Sequence, residues 1–136
     1  MRKVMALLTL FVLVLALSCA KPPKAQVLYS GALSGDFASS EKLLGYYAQV
    51  KACMGVTEDI TPPALVVYEG ESVVCDGKVK RGCYTPGTVH LPVNTSSAII
   101  KHEFIHHILW AKTGDLDPSH KSEWFGRCGG IEVVYE

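Results

Sequence analysis

The sequence predicts an α+β fold, and three observations carry that expectation. Leu43, Tyr47, Val50 and Met54 recur at helical spacing and form one apolar stripe. Ile99, Ile100, Phe104, Ile105, Ile108, Leu109 and Trp110 cover most of the circumference of a second helix, as in a helix that is buried. Between the two lie short β-branched runs, Ala64 to Tyr68, Val73 to Cys75, Val79 and Thr88 to Leu91, which read as an antiparallel hairpin or small sheet.

The chain opens with a segment that is not expected to join this fold. Arg2 and Lys3 form a short basic region, and Met5 to Leu17 is an almost unbroken apolar run. That run is shorter than the roughly 20 residues that cross a bilayer, so it reads as an export signal. It ends in Leu15-Ala16-Leu17-Ser18-Cys19, which resembles the lipobox of bacterial lipoproteins. The resemblance implies a signal peptide over 1–18 and acylation of Cys19, which would hold the protein at a membrane surface of the bacterial cell envelope, facing the periplasm or exterior. Residues 19–38, with Lys21-Pro22-Pro23-Lys24 at their start and Gly and Ser later, read as a lipidated tether. The folded domain is expected over 39–136.

Arg2 and Lys3 are the only charged residues of the signal. Without it the count is 11 basic residues against 13 acidic. Such a balance argues against nucleic-acid binding. Beyond Cys19 four cysteines remain, Cys53, Cys75, Cys83 and Cys128, and an even count after an export signal reads as two disulfides. Of three possible pairings, Cys75–Cys83 closes a short local loop. Cys53–Cys128 ties the end of the first helix to the segment after the second.

The first helix is expected from about Ser40 to Met54 as a scaffold, with Asp36, Ser39 and Ser40 as cap candidates and Gly55 as its stop. Thr61-Pro62-Pro63 breaks the chain before the strands. Two strand registers compete. Asp76-Gly77 as a tight hairpin turn places Cys75 opposite Lys78 and moves Cys83 too far for a bond. Pairing Cys75 across from Cys83 instead leaves 76–82 as a loop and sets Tyr68 opposite His90. The second register is preferred because it uses the cysteines, and Pro86-Gly87 then marks a bulge or edge irregularity. Pro92 to Ser97 is a turn, and the second helix runs from about Ser97 to Lys112 with Gly114 ending it. Asp117 as cap and Pro118 at the first position predict a last short helix carrying Ser119 to Arg127. Ile131 to Tyr135 is a weak edge-strand candidate.

The chemistry lies in His102-Glu103-Phe104-Ile105-His106. Positions four apart share a helix face, so His102 and His106 can aim at one point, and Glu103 is swung toward a water at that point. This is the zinc-peptidase arrangement of two ligands and a general base, and one Zn²⁺ ion is the expected cofactor. A catalytic zinc takes three protein ligands and keeps one open position. Asp115, Asp117, His120 and Glu123 follow the motif. Asp117 is better used as a cap, and His120 is preferred because the short connection Thr113–Leu116 folds the next segment back, with Glu123 in reserve. His107 lies about 100° around the helix and reads as a packing residue. Trp110 and Trp124 read as core, and His90, Tyr84 and Tyr135 as conceivable but uncompelling transition-state donors.

HEFIHHILW followed by DPSHKSEWFGRC resembles the HExxH zincin metallopeptidases, in their SprT-like or minigluzincin-like branch. The likeness covers roughly the last 50 residues. It implies a zincin-like domain in which His102, His106 and His120 hold zinc and Glu103 is the base. It also likens Gly87 to Pro92, GTVHLP, to the edge strand that aligns substrate. The export signal and the lack of a Cys-rich ribbon depart from SprT-like proteins, so their DNA-linked roles are not carried over. The leading expectation is a lipid-anchored zinc metallopeptidase acting on a peptide or protein substrate of the envelope. A non-catalytic zinc-binding envelope lipoprotein is the alternative, and peptidoglycan cross-links are a third possibility for the substrate.

Overall fold

The computed structural model of the chain describes residues 25–27 and 40–130. The signal segment, Cys19, most of the tether, Tyr135 and the last edge-strand candidate lie outside the described residues. Nine elements follow one another: β1 (Ala25–Val27), α1 (Ser40–Cys53), β2 (Ala64–Tyr68), β3 (Val73–Cys75), β4 (Lys78–Lys80), β5 (Cys83–Thr85), β6 (Thr88–Pro92), α2 (Ser97–Thr113) and α3 (Trp124–Cys128). The fold is α+β. A four-stranded mixed sheet has the order β1-β2-β6-β5, and β3 and β4 form a separate two-stranded ribbon. Among the described residues no helix is long and apolar enough to cross a membrane.

Both long helices form where the apolar spacing puts them, and their ends have identifiable causes. At the end of α1, Gly55 takes a left-handed φ of 66° and the Val56 amide returns to the Lys51 carbonyl at 2.9 Å, which satisfies an otherwise orphaned acceptor. Ser96 caps α2, its hydroxyl accepting from the Ile99 amide at 3.4 Å, and Gly114 closes it at φ 76° with its amide on the Trp110 carbonyl.

The core is built from alternation on the strands and stripes on the helices. Leu65, Val67, Val89 and Leu91 point from β2 and β6 into one apolar cluster with Leu43, Tyr47 and Val50 of α1 and Ile100, Phe104, Ile105 and Ile108 of α2. Phe125 of α3 is fully buried in the same cluster. Each such side chain contributes about 1.5–3 kcal/mol through removal from water. Trp110 departs from its expected place in the core and stands partly exposed, because α2 is buried over the face that meets the sheet and α1 but not over its whole circumference. Trp124 is partly buried against the cluster.

The strands depart from the preferred register. Asp76-Gly77 does form the tight turn, with Cys75 opposite Lys78, and Cys75 is nevertheless bonded to Cys83 with the Cα atoms 6.6 Å apart. The two conditions are compatible because the bond joins β3 to a strand of the other sheet, the chain turning back at Arg81-Gly82. Pro86-Gly87 is the turn of a hairpin between β5 and β6, not a bulge. β6 thereby enters the sheet parallel to β2, with Val66 opposite His90 and Tyr68 opposite Pro92. Tyr68 still meets His90, but through its hydroxyl, 3.0 Å from Nδ1. β1, from within the stretch read as tether, pairs antiparallel with β2 and so covers an otherwise open sheet edge.

The second disulfide, Cys53–Cys128, fastens the end of α1 to α3 across 75 residues of chain. A loop of that length constrains the unfolded state strongly, by about 4 kcal/mol in the chain-entropy picture. The double variant Cys53→Ser/Cys128→Ser is therefore expected to lose about 2–5 kcal/mol of unfolding free energy in urea titration. A loss below about 1 kcal/mol would show that packing alone holds α3 in place.

Candidate metal centre

Helix geometry brings His102 and His106 together as the spacing requires, their ring centroids 5.0 Å apart. His120 reaches the same point from the loop after α2. Its Nε2 lies 3.0 Å from Nε2 of His102 and 3.1 Å from Nε2 of His106. The three nitrogens form a cluster that could hold a metal ion.

The loop that delivers His120 is not the helix start expected there. α3 begins only at Trp124, and Asp117 organises a turn instead. Its carboxylate accepts from the amides of Lys121 at 3.0 Å and Ser122 at 2.7 Å, and its carbonyl accepts from the His120 amide at 3.0 Å. Asp117 and His120 both take left-handed φ values, 53° and 52°. Such conformations in non-glycine residues cost of order 1 kcal/mol or more each and persist where surrounding bonds enforce them. The helix expectation failed because Asp117 and Pro118 suit a turn as well as a helix start, and here the Asp117 carboxylate accepts from the Lys121 and Ser122 amides to close the turn.

Tautomers follow from the partners. Nδ1 of His106 lies 2.6 Å from the Leu116 carbonyl, which can only accept, so Nδ1 carries the proton and Nε2 presents a bare lone pair. That lone pair faces a second imidazole nitrogen, and His120 Nε2 has at most one proton with which to satisfy both neighbours. A cation at the point of convergence resolves the conflict. For tetrahedral bonds of roughly 2.0–2.1 Å, ligand nitrogens stand about 3.4 Å apart, near the two distances that His120 makes, and all three ligand atoms lie within 4.8 Å of one another. Phe125 packs against all three rings at centroid distances of 4.6–4.9 Å and forms an apolar floor.

Burial sets the charge states. Desolvation, then the neighbouring imidazoles, pushes His102 down to about 3. Desolvation, partly offset by the bond to Leu116, pushes His106 down to about 4, and burial also lowers His120. All three are neutral at pH 7, the form that ligates. Glu103 is only 5% exposed, and desolvation raises it to about 8, against a smaller opposing pull from Lys80. Its Oε2 is buried and makes no hydrogen bond, and Nδ1 of His102 is in the same position. Orphaned buried polar atoms are costly, and a cation at the imidazole cluster would favour the ionised carboxylate.

Gly82 stands beside Glu103, a proximity with no signal in the local pattern. A Cβ there would lie 3.0 Å from Ile99 Cγ2, 3.1 Å from Leu91 Cδ2 and 3.2 Å from Glu103 Oε1, so any larger residue would press on these three side chains. Gly82, Cys83, Tyr84 and Thr85 line one cleft with His102, Glu103, His106 and His120. Glu123 stands apart from the imidazoles, exposed and paired with Arg127 at 3.5 Å, and Asp115 accepts from the Asp117 amide. His107, as expected, is a packing residue. Its Nε2 donates to the Thr61 carbonyl at 2.8 Å, which leaves Nδ1 to accept from the Tyr84 hydroxyl at 3.1 Å and ties α2 to β5. His90 sits between Tyr68 and Thr85. Among the described residues GTVHLP is an inner strand, and the edge strand beside the site is β5.

No protein-family model, curated protein or solved structure matches the chain.

Because Asp117 holds the His120 loop, Asp117→Ala is expected to weaken zinc affinity about 10–100-fold in competition titration with a chelator dye. An unchanged affinity would show that the turn forms without its carboxylate. In the metal-free protein the lowered histidines bind fewer protons folded than unfolded. Stability is then full above the ordinary histidine value of 6.5 and falls as pH drops toward about 4. Glu103, raised to about 8, acts oppositely and removes stability as pH climbs from its ordinary value of 4.5 through 8. Tm of chelator-treated protein should peak between about pH 6 and 7, where the two trends cross. A Tm still rising from pH 7 to 9 would contradict the burial of the Glu103 carboxyl.

Proposed function

We propose that the chain is a zinc-dependent metallopeptidase of the zincin type, similar to the SprT-like and minigluzincin-like enzymes, carried as a lipid-anchored protein of the bacterial cell envelope. The observation that carries this reading is the convergence of three neutral imidazole nitrogens beside a buried carboxylate in one cleft. Among the described residues three histidines and no fourth protein ligand gather at this point, which fits a catalytic zinc site, whereas structural sites close with four. Glu123, the residue that would have closed it, is committed to Arg127 at the surface. That weighs against a non-catalytic zinc-binding lipoprotein.

His102, His106 and His120 would hold the ion, which when bound supplies Lewis acidity toward a peptide carbonyl and a nucleophile at neutral pH. The chain's own residues do the rest. Glu103 is the proton carrier: its desolvated carboxyl, raised toward neutrality, takes a proton from the attacking water and returns it to the leaving amine. Gly82 keeps that carboxyl against the backbone. Phe125 fixes the three rings and keeps water from their far side. Among the described residues β5 is paired with β6 on one side only, and Cys83, Tyr84 and Thr85 line the cleft, a place for an extended peptide to add as a further strand. The Tyr84 hydroxyl is occupied by His107 and the Gly87 amide, which argues against its serving as an oxyanion donor.

Glu103→Gln is expected to retain one zinc per chain by elemental analysis and to lose at least about 100-fold in peptide-library cleavage. His102→Ala and His106→Ala should lose the metal. Full activity in Glu103→Gln, or undiminished zinc in both histidine variants, would sink the proposal.

A further inference from the structure

The β3–β4 ribbon forms a wall of the cleft, and its register decides which side chains face inward. Val74 and Val79 pair across the ribbon and are each 72% exposed, so their face is outward. Val73 opposite Lys80, and Cys75 opposite Lys78, occupy the other face. On that face Val73 is buried in the domain and Cys75 is bonded to Cys83 of β5. Lys80 thus projects to the cleft side, where it lines the cleft together with His102, Glu103, His106 and His120. Among the described residues lining the cleft it is the only Lys or Arg. Neither the ion pair of Lys112 with Glu58 nor that of Arg127 with Glu123 includes it. Asp76, at the ribbon's turn, also lines the cleft but forms no ion pair with it.

Two attachments hold this lysine's backbone in place. The disulfide ties the turn end of the ribbon to β5, and the short segment Arg81-Gly82 ties the other end to the same strand. The backbone that carries this cation is preorganised, so ordering on binding is confined to the exposed side chain. Its field reaches the site, since its charge acts on Glu103, His106 and His120.

We propose that Lys80 binds a carboxylate of the substrate beside the scissile bond, making the site selective for acidic peptides. The carboxylate comes from an acidic side chain or from a chain terminus, and the chemistry of the contact is the same. This assignment rests on the metallopeptidase reading for the identity of the ligand as a substrate, but the carboxylate contact can be measured without turnover. Lys80 is exposed, so the contact is screened by water and its contribution is modest, about fivefold in affinity.

The test uses the full-length, zinc-loaded protein in detergent and acetylated poly-alanine peptides. The peptides carry one Glu, one Gln in its place, a free C-terminus, or a C-terminal amide. Binding is measured calorimetrically in the Glu103→Gln background, and cleavage in the wild-type background, each with Lys80, Lys80→Met and Lys80→Arg. Attraction of a carboxylate by the rest of the site is common to all three forms. The expected result is a Glu/Gln or free-acid/amide affinity ratio that falls about fivefold in Lys80→Met, survives in Lys80→Arg and shrinks with added salt. Preference for Glu assigns a side-chain carboxylate, and preference for the free terminus assigns a carboxypeptidase. Equal ratios with Lys80 and with Lys80→Met, in variants of equal Tm, overturn the proposal. Cleavage without any carboxylate preference also overturns it while leaving the hydrolase reading intact. Lys80-dependent carboxylate binding with no cleavage of any peptide by wild type does the reverse.

Discussion

Burial of a polar motif on an apolar helix is the constraint on which the rest of this structure depends. α2 presents Ile100, Phe104, Ile105 and Ile108 to the core, yet Glu103, His106 and His107 are buried on the same helix. Each polar group must be compensated, because an unpaired one in such surroundings costs several kcal/mol. His107 is compensated by Thr61 and Tyr84, and one nitrogen of His106 by Leu116. What is left over on the helix, the Nε2 atoms of His102 and His106 and the Oε2 of Glu103, lines the cleft, where Nε2 of His120 joins them from the following loop.

The surrounding elements can be understood as devices that hold those leftovers in position. Leu65, Val67, Val89 and Leu91 give α2 a flat apolar bed. The Asp117 turn swings His120 back over the helix, and Phe125 locks the rings from beneath. The two disulfides clamp opposite sides of this assembly. Cys53–Cys128 secures α3, which carries Phe125, and Cys75–Cys83 secures the ribbon that walls the cleft. A domain of this size has a limited core, and covalent ties add stability that apolar burial alone supplies sparingly.

The opposing pKa shifts give the site its chemical character. Desolvation makes the imidazoles poor bases and the carboxyl a weak acid, so in the absence of a cation the cluster is nearly uncharged at neutral pH. Such a cluster is receptive to a dication, whose charge the neutral ligands do not repel. The Glu103 carboxyl, raised to about 8 by burial, sits where such a dication would favour its ionised form.

Local pattern alone determined the two long helices, the partnership of His102 with His106, the stop at Gly114, and the β character of the middle of the chain. These depend on contacts within a few residues, where side-chain spacing and backbone preference act directly. The cysteine count and loop lengths were enough to favour the two disulfide pairings found. Only tertiary structure decided that β6 runs parallel to β2, that β5 is the edge strand beside the site among the described residues, and that Asp117 builds a turn in place of a helix start. It also decided that Gly82 cradles Glu103 and that Phe125 underlies the three rings. Each of these is set by contacts between elements distant in sequence, where a local pattern such as Asp-Pro or Asp-Gly is equally satisfied by two geometries and packing selects one of them.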